Sequence, residues 1–349
     1  MLALARELRG LTQLELSQKL PTLNQGNYSK IEKGLMPLNG EMLKNISEVL
    51  DLPLSFFYKK APNSQLSDFY YRKRISMPMK ELTPLEAKFK LISFWVDELL
   101  DSVSLPEFKI PPIQVSDAIS AEDISRKIRQ FLNIPPGPIG NIVRIMEAAG
   151  IIIYFVKKAP EKFDGISLLT DIGQPIIFLN ENISNDRKRF TLAHELGHLI
   201  MHIRYDWNED LDKVEKEADV FASEFLMPYL DCRGDLLNLQ FKNLGTLKSY
   251  WKVSKAAITY KAYKIGYLTP SRYKTFMIEL SRSGERKTES DFVDIDAPVL
   301  IDKVINAHLN QLHYSREELL NVLSINENDF EEIFLKSGAN RPPKLSVVV

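Results

Sequence analysis

Apolar residues recur at three- and four-residue steps through the first 58 positions, which predicts a string of short helices. Leu2, Leu4, Ala5 and Leu8 give the first its apolar face. Thr12 is placed to cap a second, QLELSQKL, which ends before Pro21, and a third, NQGNYSKIEKG, stops at Gly34. A fourth, EMLKNISEVLDL, opens at Asn39 or Gly40 and closes at Pro53. The helical period returns over 83–105, through Leu85, Phe89, Ile92, Trp95, Val96 and Leu99, and again over 121–132 and 138–149. It then gives way to short β-branched runs, IIIYFV (151–156), GISLLT (165–170) and PIIFLN (175–180), which predict three strands. The last of these could hold a bound peptide as an added strand or serve as an ordinary core strand. Helices are predicted next over 185–202 and over 211–226, ending before Pro228. Residues 240–280 alternate helix and turn, and helices near 298–312 and 315–323 precede a proline-containing tail.

Composition narrows the class. The chain has 349 residues, 44% apolar and 26% charged, which fits a globular protein of two or three domains. The net charge is −1, but residues 1–80 hold 12 Lys and Arg against 7 Asp and Glu, a net of +5 that leaves −6 for the rest. A basic front on an acidic body suits a small nucleic-acid-binding module joined to something else. The one cysteine, Cys232, excludes an intramolecular disulfide and fits a reducing compartment. The start MLALARELRG has no signal-peptide pattern, and no apolar run approaches membrane-spanning length. A cytoplasmic protein without a membrane partner is expected. The stretch 59–82 reads as a linker with a basic aromatic patch, YYRKR (70–74), whose ordinary role would be a solvated surface.

Three of the five histidines fall in FTLAHELGHLIMH (190–202), four residues apart. On a helix, positions i and i+4 share a face, so His194 and His198 can aim two imidazoles at one point. Glu195 beside the first completes HExxH, a pattern that supplies two metal ligands and a general base. Two imidazoles hold a metal loosely, and a third ligand is expected on the next helix. There Glu215 and Asp219 lie four apart, with Val214, Ala218, Phe221, Ala222 and Phe225 available for the buried side. Glu215 is then the third ligand, and Asp219 holds a ligand histidine by its second ring nitrogen. Glu217 is the rival, but at about 100° per residue it points some 200° around the helix from Glu215. His202 lies a turn beyond His198, about 6 Å along the axis, too far for a third ligand on a straight helix. Thr191, one turn before His194, shares this face and has packing as its ordinary role.

The front end has helix-turn-helix spacing: helices over 12–20 and 25–33, joined by the turn at 21–24. The second helix opens with polar side chains, Gln25, Asn27, Ser29 and Lys30, suited to base edges and phosphate; Gln13 opens the preceding helix and suits a phosphate contact.

RFTLAHELGHLIMH followed by EKEADVFASEFLMP resembles the ImmA/IrrE family of bacterial metallo-endopeptidases, and the likeness extends back through PGPIGNIVRIMEAAGIIIYFV, FDGISLL and PIIFLN and forward to about residue 285. RGLTQLELSQKL, NYSKIEKG and VLDLPLSFFY resemble the Xre/Cro-type helix-turn-helix family, although Tyr28 stands where a small aliphatic is usual. The resemblance implies zinc on His194, His198 and Glu215, with manganese as a substitute in vitro, and Glu195 as the catalytic glutamate. It implies cleavage of a transcriptional repressor in a stress-response setting, operator DNA as a second partner, and a homodimer on palindromic sites. The expected fold is α+β and mostly helical. A helix-turn-helix domain (1–58) and a connecting segment (59–115) precede a zincin-like metallopeptidase domain with a small sheet (116–285). A helical C-terminal region of unassigned role (286–349) follows. The competing reading is a DNA-binding regulator or antitoxin-like protein whose metal site does not turn over. Glu195 separates the two, because a purely structural site has no use for it.

Overall fold

The computed structural model describes residues 1–21, 23–63, 77–203, 210–285 and 289–335; the patch at 70–74 and the tail beyond 335 lie outside them. Five helices open the chain: α1 (Leu2–Leu8), α2 (Gln13–Gln18), α3 (Gln25–Glu32), α4 (Gly40–Leu50) and α5 (Leu54–Tyr58). Next come α6 (Met79–Leu100), α7 (Ala121–Phe131), α8 (Ile142–Ala148) and the strands β1 (Ile152–Val156), β2 (Gly165–Leu169) and β3 (Pro175–Asn180). They are followed by α9 (Asn185–Met201), α10 (Leu211–Leu226), α11 (Tyr229–Leu236), α12 (Leu244–Trp251), α13 (Lys255–Lys264) and α14 (Pro270–Arg282). The last described elements are α15 (Leu300–Asn310), α16 (Arg316–Leu323) and α17 (Glu327–Phe330), which a π-helical turn over Glu331–Leu335 continues. The expected mostly helical α+β class is what the chain adopts. It forms two compact units, one of residues 1–105, 169–174 and 297–349, the other of 106–168 and 175–296.

In the first unit local chemistry sets the helix starts. Thr12 and Glu15 form a reciprocal capping box at α2, and Asn24 and Asn39 accept backbone N–H groups at the starts of α3 and α4. Leu16, Leu20, Tyr28, Ile31, Ile46 and Leu50 form the bundle core. Tyr28 is fully buried there, so the larger ring is accommodated inside the bundle. The helix expected over 83–105 starts earlier, at Met79, and runs through Pro84; Leu82 and Leu85 are buried on either side of the proline, and that packing carries the first turns. Leu91 to Val96 are buried without a break, so α6 is covered on all sides. Part of that cover is C-terminal, where Trp95 Nε1 donates to the Leu323 carbonyl at 3.0 Å; separately, Arg9 after α1 holds Asp329 through two hydrogen bonds of 2.8 and 2.6 Å. In the same unit Asp97 Oδ2 accepts the Asp171 N–H at 3.0 Å, and burial pushes the Asp97 carboxyl up to about 6 from the ordinary 3.8.

In the second unit the three strands form one sheet in the order β1-β3-β2, with β1 and β3 parallel and Ile152 opposite Ile176. Asn180 N–H bonds to the Asp164 carbonyl at 2.8 Å, which sets β2 antiparallel to β3. All six residues of β3 are buried. PIIFLN is therefore the central strand, paired on both sides, and cannot accept a peptide as an added strand. Helix α9 packs on β3 and α10, and α10 packs on α7. Glu224, from the phrase FASEFLMP, is 1% exposed and accepts from Arg126 on α7 at 2.9 Å and from Lys261 on α13 at 2.6 Å. A buried carboxylate so compensated fixes α10 against both neighbours.

Candidate metal centre

From Thr191 to His202 every residue of α9 and its C-cap is buried, although the segment carries three histidines and a glutamate. Polar groups removed from water in this way must find partners. They find them on α10 and β2, and two glycines make the approach possible. A Cβ on Gly197 would lie 3.1 Å from the Phe221 ring, so the glycine of HELGH lets α10 cross α9 closely. A Cβ on Gly165 would lie 2.6 Å from Thr191 Cγ2, so β2 comes equally close to the other side of α9.

The Nε2 atoms of His194 and His198 are 2.9 Å apart. Glu215 Oε2 lies 3.5 Å from the first and its Oε1 3.7 Å from the second. These three side chains are the group that could hold an ion among the described residues, with one ligand atom from each within 4.8 Å of the others. His194 is 6% exposed and His198 2%.

Proton counting explains why the cluster calls for a cation. His194 Nδ1 meets Asp219 Oδ1 at 2.9 Å, where a carboxylate oxygen is placed to accept. The hydrogen therefore sits on Nδ1, and Nε2 presents a lone pair. His198 Nδ1 lies 2.8 Å from His202 Nδ1, and His202 Nε2 lies 3.3 Å from Glu217 Oε2. His202 thus stands between the His198 ring on one side and the Glu217 carboxylate of α10 on the other. The Nε2 atoms of the two ligand rings, His194 and His198, converge with the Glu215 carboxylate beside them, a donor set suited to a cation between them. Atoms that each sit about 2.0–2.1 Å from a tetrahedral zinc lie about 3.3 Å apart, in the range of these spacings. The donor set of two imidazoles and one carboxylate fits zinc.

Glu195 is 4% exposed, and its Oε2 accepts from Ser167 Oγ on β2 at 2.7 Å. The one-dimensional reading missed Ser167. The signal for it was Gly165, a glycine inside an apolar strand pattern that marks a close backbone approach. Glu217, the rival ligand, faces His202 and Lys213 instead, the latter at 3.8 Å. His202 is not part of the His194, His198 and Glu215 group; it lies against His198 and Glu217.

The helix-turn-helix residues gather separately. Gln25 and Lys30 are exposed and Asn27 and Ser29 half-buried on α3. Gln25 Nε2 donates to Gln13 Oε1 at 3.2 Å, and Gln13 Nε2 donates to Glu32 Oε2 at 2.7 Å. Glu32 also accepts from Arg6 Nε at 2.7 Å, so Gln13 is tied to α1 and α3 through Glu32.

Comparison with known proteins agrees with this division. Residues 146–263 match the IrrE N-terminal-like domain family, and residues 2–57 match the helix-turn-helix family. Over 100 residues the chain is 30% identical to the metallopeptidase ImmA of Bacillus subtilis (strain 168), a match covering 27% of this chain and 58% of that protein. The chain thus spans little more than half the length of this relative. The resemblance read from the sequence holds: a helix-turn-helix domain stands at the front and an IrrE N-terminal-like domain in the middle. No helix among the described residues is long and apolar enough to cross a membrane.

Proposed function

We propose that this chain is a zinc-dependent endopeptidase joined to an operator-binding module, and that it regulates transcription by cleaving a repressor. The observation that carries the reading is the convergence of the two imidazole Nε2 atoms and the Glu215 carboxylate beside the buried Glu195. Zinc, when bound, supplies Lewis acidity to a peptide carbonyl and makes water a usable nucleophile near neutral pH. His194, His198 and Glu215 hold it. Glu195 takes the proton from the attacking water and delivers it to the leaving amine. Ser167 occupies one Glu195 oxygen, which orients the other for that transfer. A peptide docking by strand addition needs an edge strand, and β2, which carries Ser167, is one.

The DNA-binding half of the proposal rests on the exposed end of α3. Gln25, Asn27 and Ser29 offer amide and hydroxyl groups to base edges, Lys30 offers a charge to phosphate or guanine, and Gln13 flanks them. Cleavage of a repressor bound at the same operator would join the two halves in one event.

The test compares wild type and Glu195→Gln, each loaded with zinc, on a lysate of the source cell and on repressors encoded beside the gene. New protein N-termini that appear only with wild type support the reading. Equal patterns with both proteins contradict it and favour a regulator whose metal site does not turn over.

A further inference from the structure

On the premise that the centre binds zinc, we infer that His202 and Glu217 are positioning residues that fix the tautomer and aim of His198. At His202 the backbone leaves the helix, with φ −124° and ψ −56°. The ring therefore does not continue the stripe one turn further on. It turns back to place Nδ1 2.8 Å from His198 Nδ1, on the side of that ring away from the ligand nitrogen. The far nitrogen of His202 then reaches Glu217 on α10 at 3.3 Å.

The chain of hydrogen bonds runs one way. Glu217 faces His202 Nε2, so in the singly protonated ring the hydrogen belongs on Nε2 and Nδ1 keeps a lone pair. That lone pair takes the His198 Nδ1 hydrogen and leaves His198 Nε2 free of one, the form in which imidazole ligates. Without the acceptor at position 202, His198 can place its hydrogen on Nε2 and block itself.

The two ligand histidines are therefore fixed by unlike devices. Asp219, behind His194, has a side chain 58% exposed. The support behind His198 is enclosed, with the His202 side chain 5% exposed and that of Glu217 14%. Lys213 stands 3.8 Å from Glu217 and balances its charge. The geometry also accounts for why Glu217, two residues from Glu215, supports a ligand rather than acting as one.

Two substitutions separate hydrogen bonding from packing. His202→Asn keeps an acceptor oxygen near the Nδ1 position but loses the ring, while His202→Phe keeps a ring and loses the acceptor. Zinc affinity is read by chelator competition at fixed pH, and folding of each metal-free variant by thermal melting. His202→Phe is expected to weaken zinc binding by about 10–100-fold, with His202→Asn within about 3-fold of wild type. Equal affinities of the two variants, both tight or both weak, overturn the inference. A second readout uses the metal-free wild type alone: long-range 1H–15N correlation is expected to show the His198 hydrogen on Nδ1, and finding it on Nε2 overturns the inference even if a variant fails to fold. A wild type that takes up no zinc would instead count against the metallopeptidase reading itself.

Discussion

The cluster on α9 and α10 and the face of α3 are both dense in polar side chains, yet they are held in opposite ways. His194, Glu195 and His198 are buried, and each has a partner that sets its direction: Asp219 on α10, Ser167 on β2 and His202 at the C-cap of α9. Gln25, Asn27, Ser29 and Lys30 are exposed or half-buried on one short helix, with Gln25 steadied by Gln13. A buried polar group must be satisfied within the fold or by a bound ion, so its position is an outcome of folding. An exposed one keeps its hydrogen-bonding capacity for a partner. On the proposed function the first is the place of chemistry and the second the place of recognition, and the contrast predicts different failures when each is altered.

The largest effect is expected at Glu195. Glu195→Gln lowers cleavage by about 10²–10⁴-fold, the usual share of a general base, and leaves zinc content unchanged. A parallel loss of zinc would mean that Glu195 is a ligand and would blur the division of roles. Gly197→Ala comes next. Its new methyl would press on Phe221, which is fully buried and stacked on Phe225 with ring centroids 5.6 Å apart. A loss of about 1–3 kcal/mol in stability is expected, with weaker zinc binding, because overpacking here shifts α10 and Glu215 with it. Unchanged melting and zinc affinity would show that the crossing is looser than drawn.

Lys30→Ala should behave in the opposite manner, with no change in melting or zinc. Operator affinity is expected to fall by about tenfold and the salt dependence to flatten by about one ion. A lower melting temperature with unaltered DNA binding would reverse the assignment. The smallest effect is expected at Asp97, which belongs to neither cluster. Its carboxyl is raised by burial to about 6 in the folded protein, so the protonated form is favoured by folding and stability falls as pH climbs from about 4 through about 6. Asp97→Asn keeps the acceptor for the Asp171 N–H and removes the charge. Because Asp97 is partly open to solvent, the gain at pH 7 is set at about 1 kcal/mol rather than the ~3 kcal/mol of the full shift, and it should shrink towards pH 5. Chemical denaturation at the two pH values checks this.

What could be read along the chain was whatever has a helical or strand period. The HExxH stripe, the Glu215 and Asp219 face of α10 and the three strands follow from spacing alone, because side-chain direction on a regular element is fixed by position. Three features were beyond that reading. The part played by His202 depends on the backbone leaving the helix at that residue. Ser167 meets Glu195 across 28 positions, through a sheet-to-helix contact that leaves only a glycine as its local mark. The C-terminal helices join the first unit through pairs such as Arg9 with Asp329, 320 positions apart, which no local pattern announces. Strand order was equally hidden: PIIFLN has the composition of an edge or a centre, and only the pairing of β1 with β3 makes it central.

The account stands on His194, His198 and Glu215 closing around one metal ion while Glu195 stays outside the ligand set. Metal content of purified, zinc-loaded protein after exhaustive dialysis tests this most directly. Wild type and Glu195→Gln should each retain one zinc per chain, and Glu215→Gln should lose it while remaining folded. Zinc absent from wild type, or held as firmly by Glu215→Gln, would contradict the account.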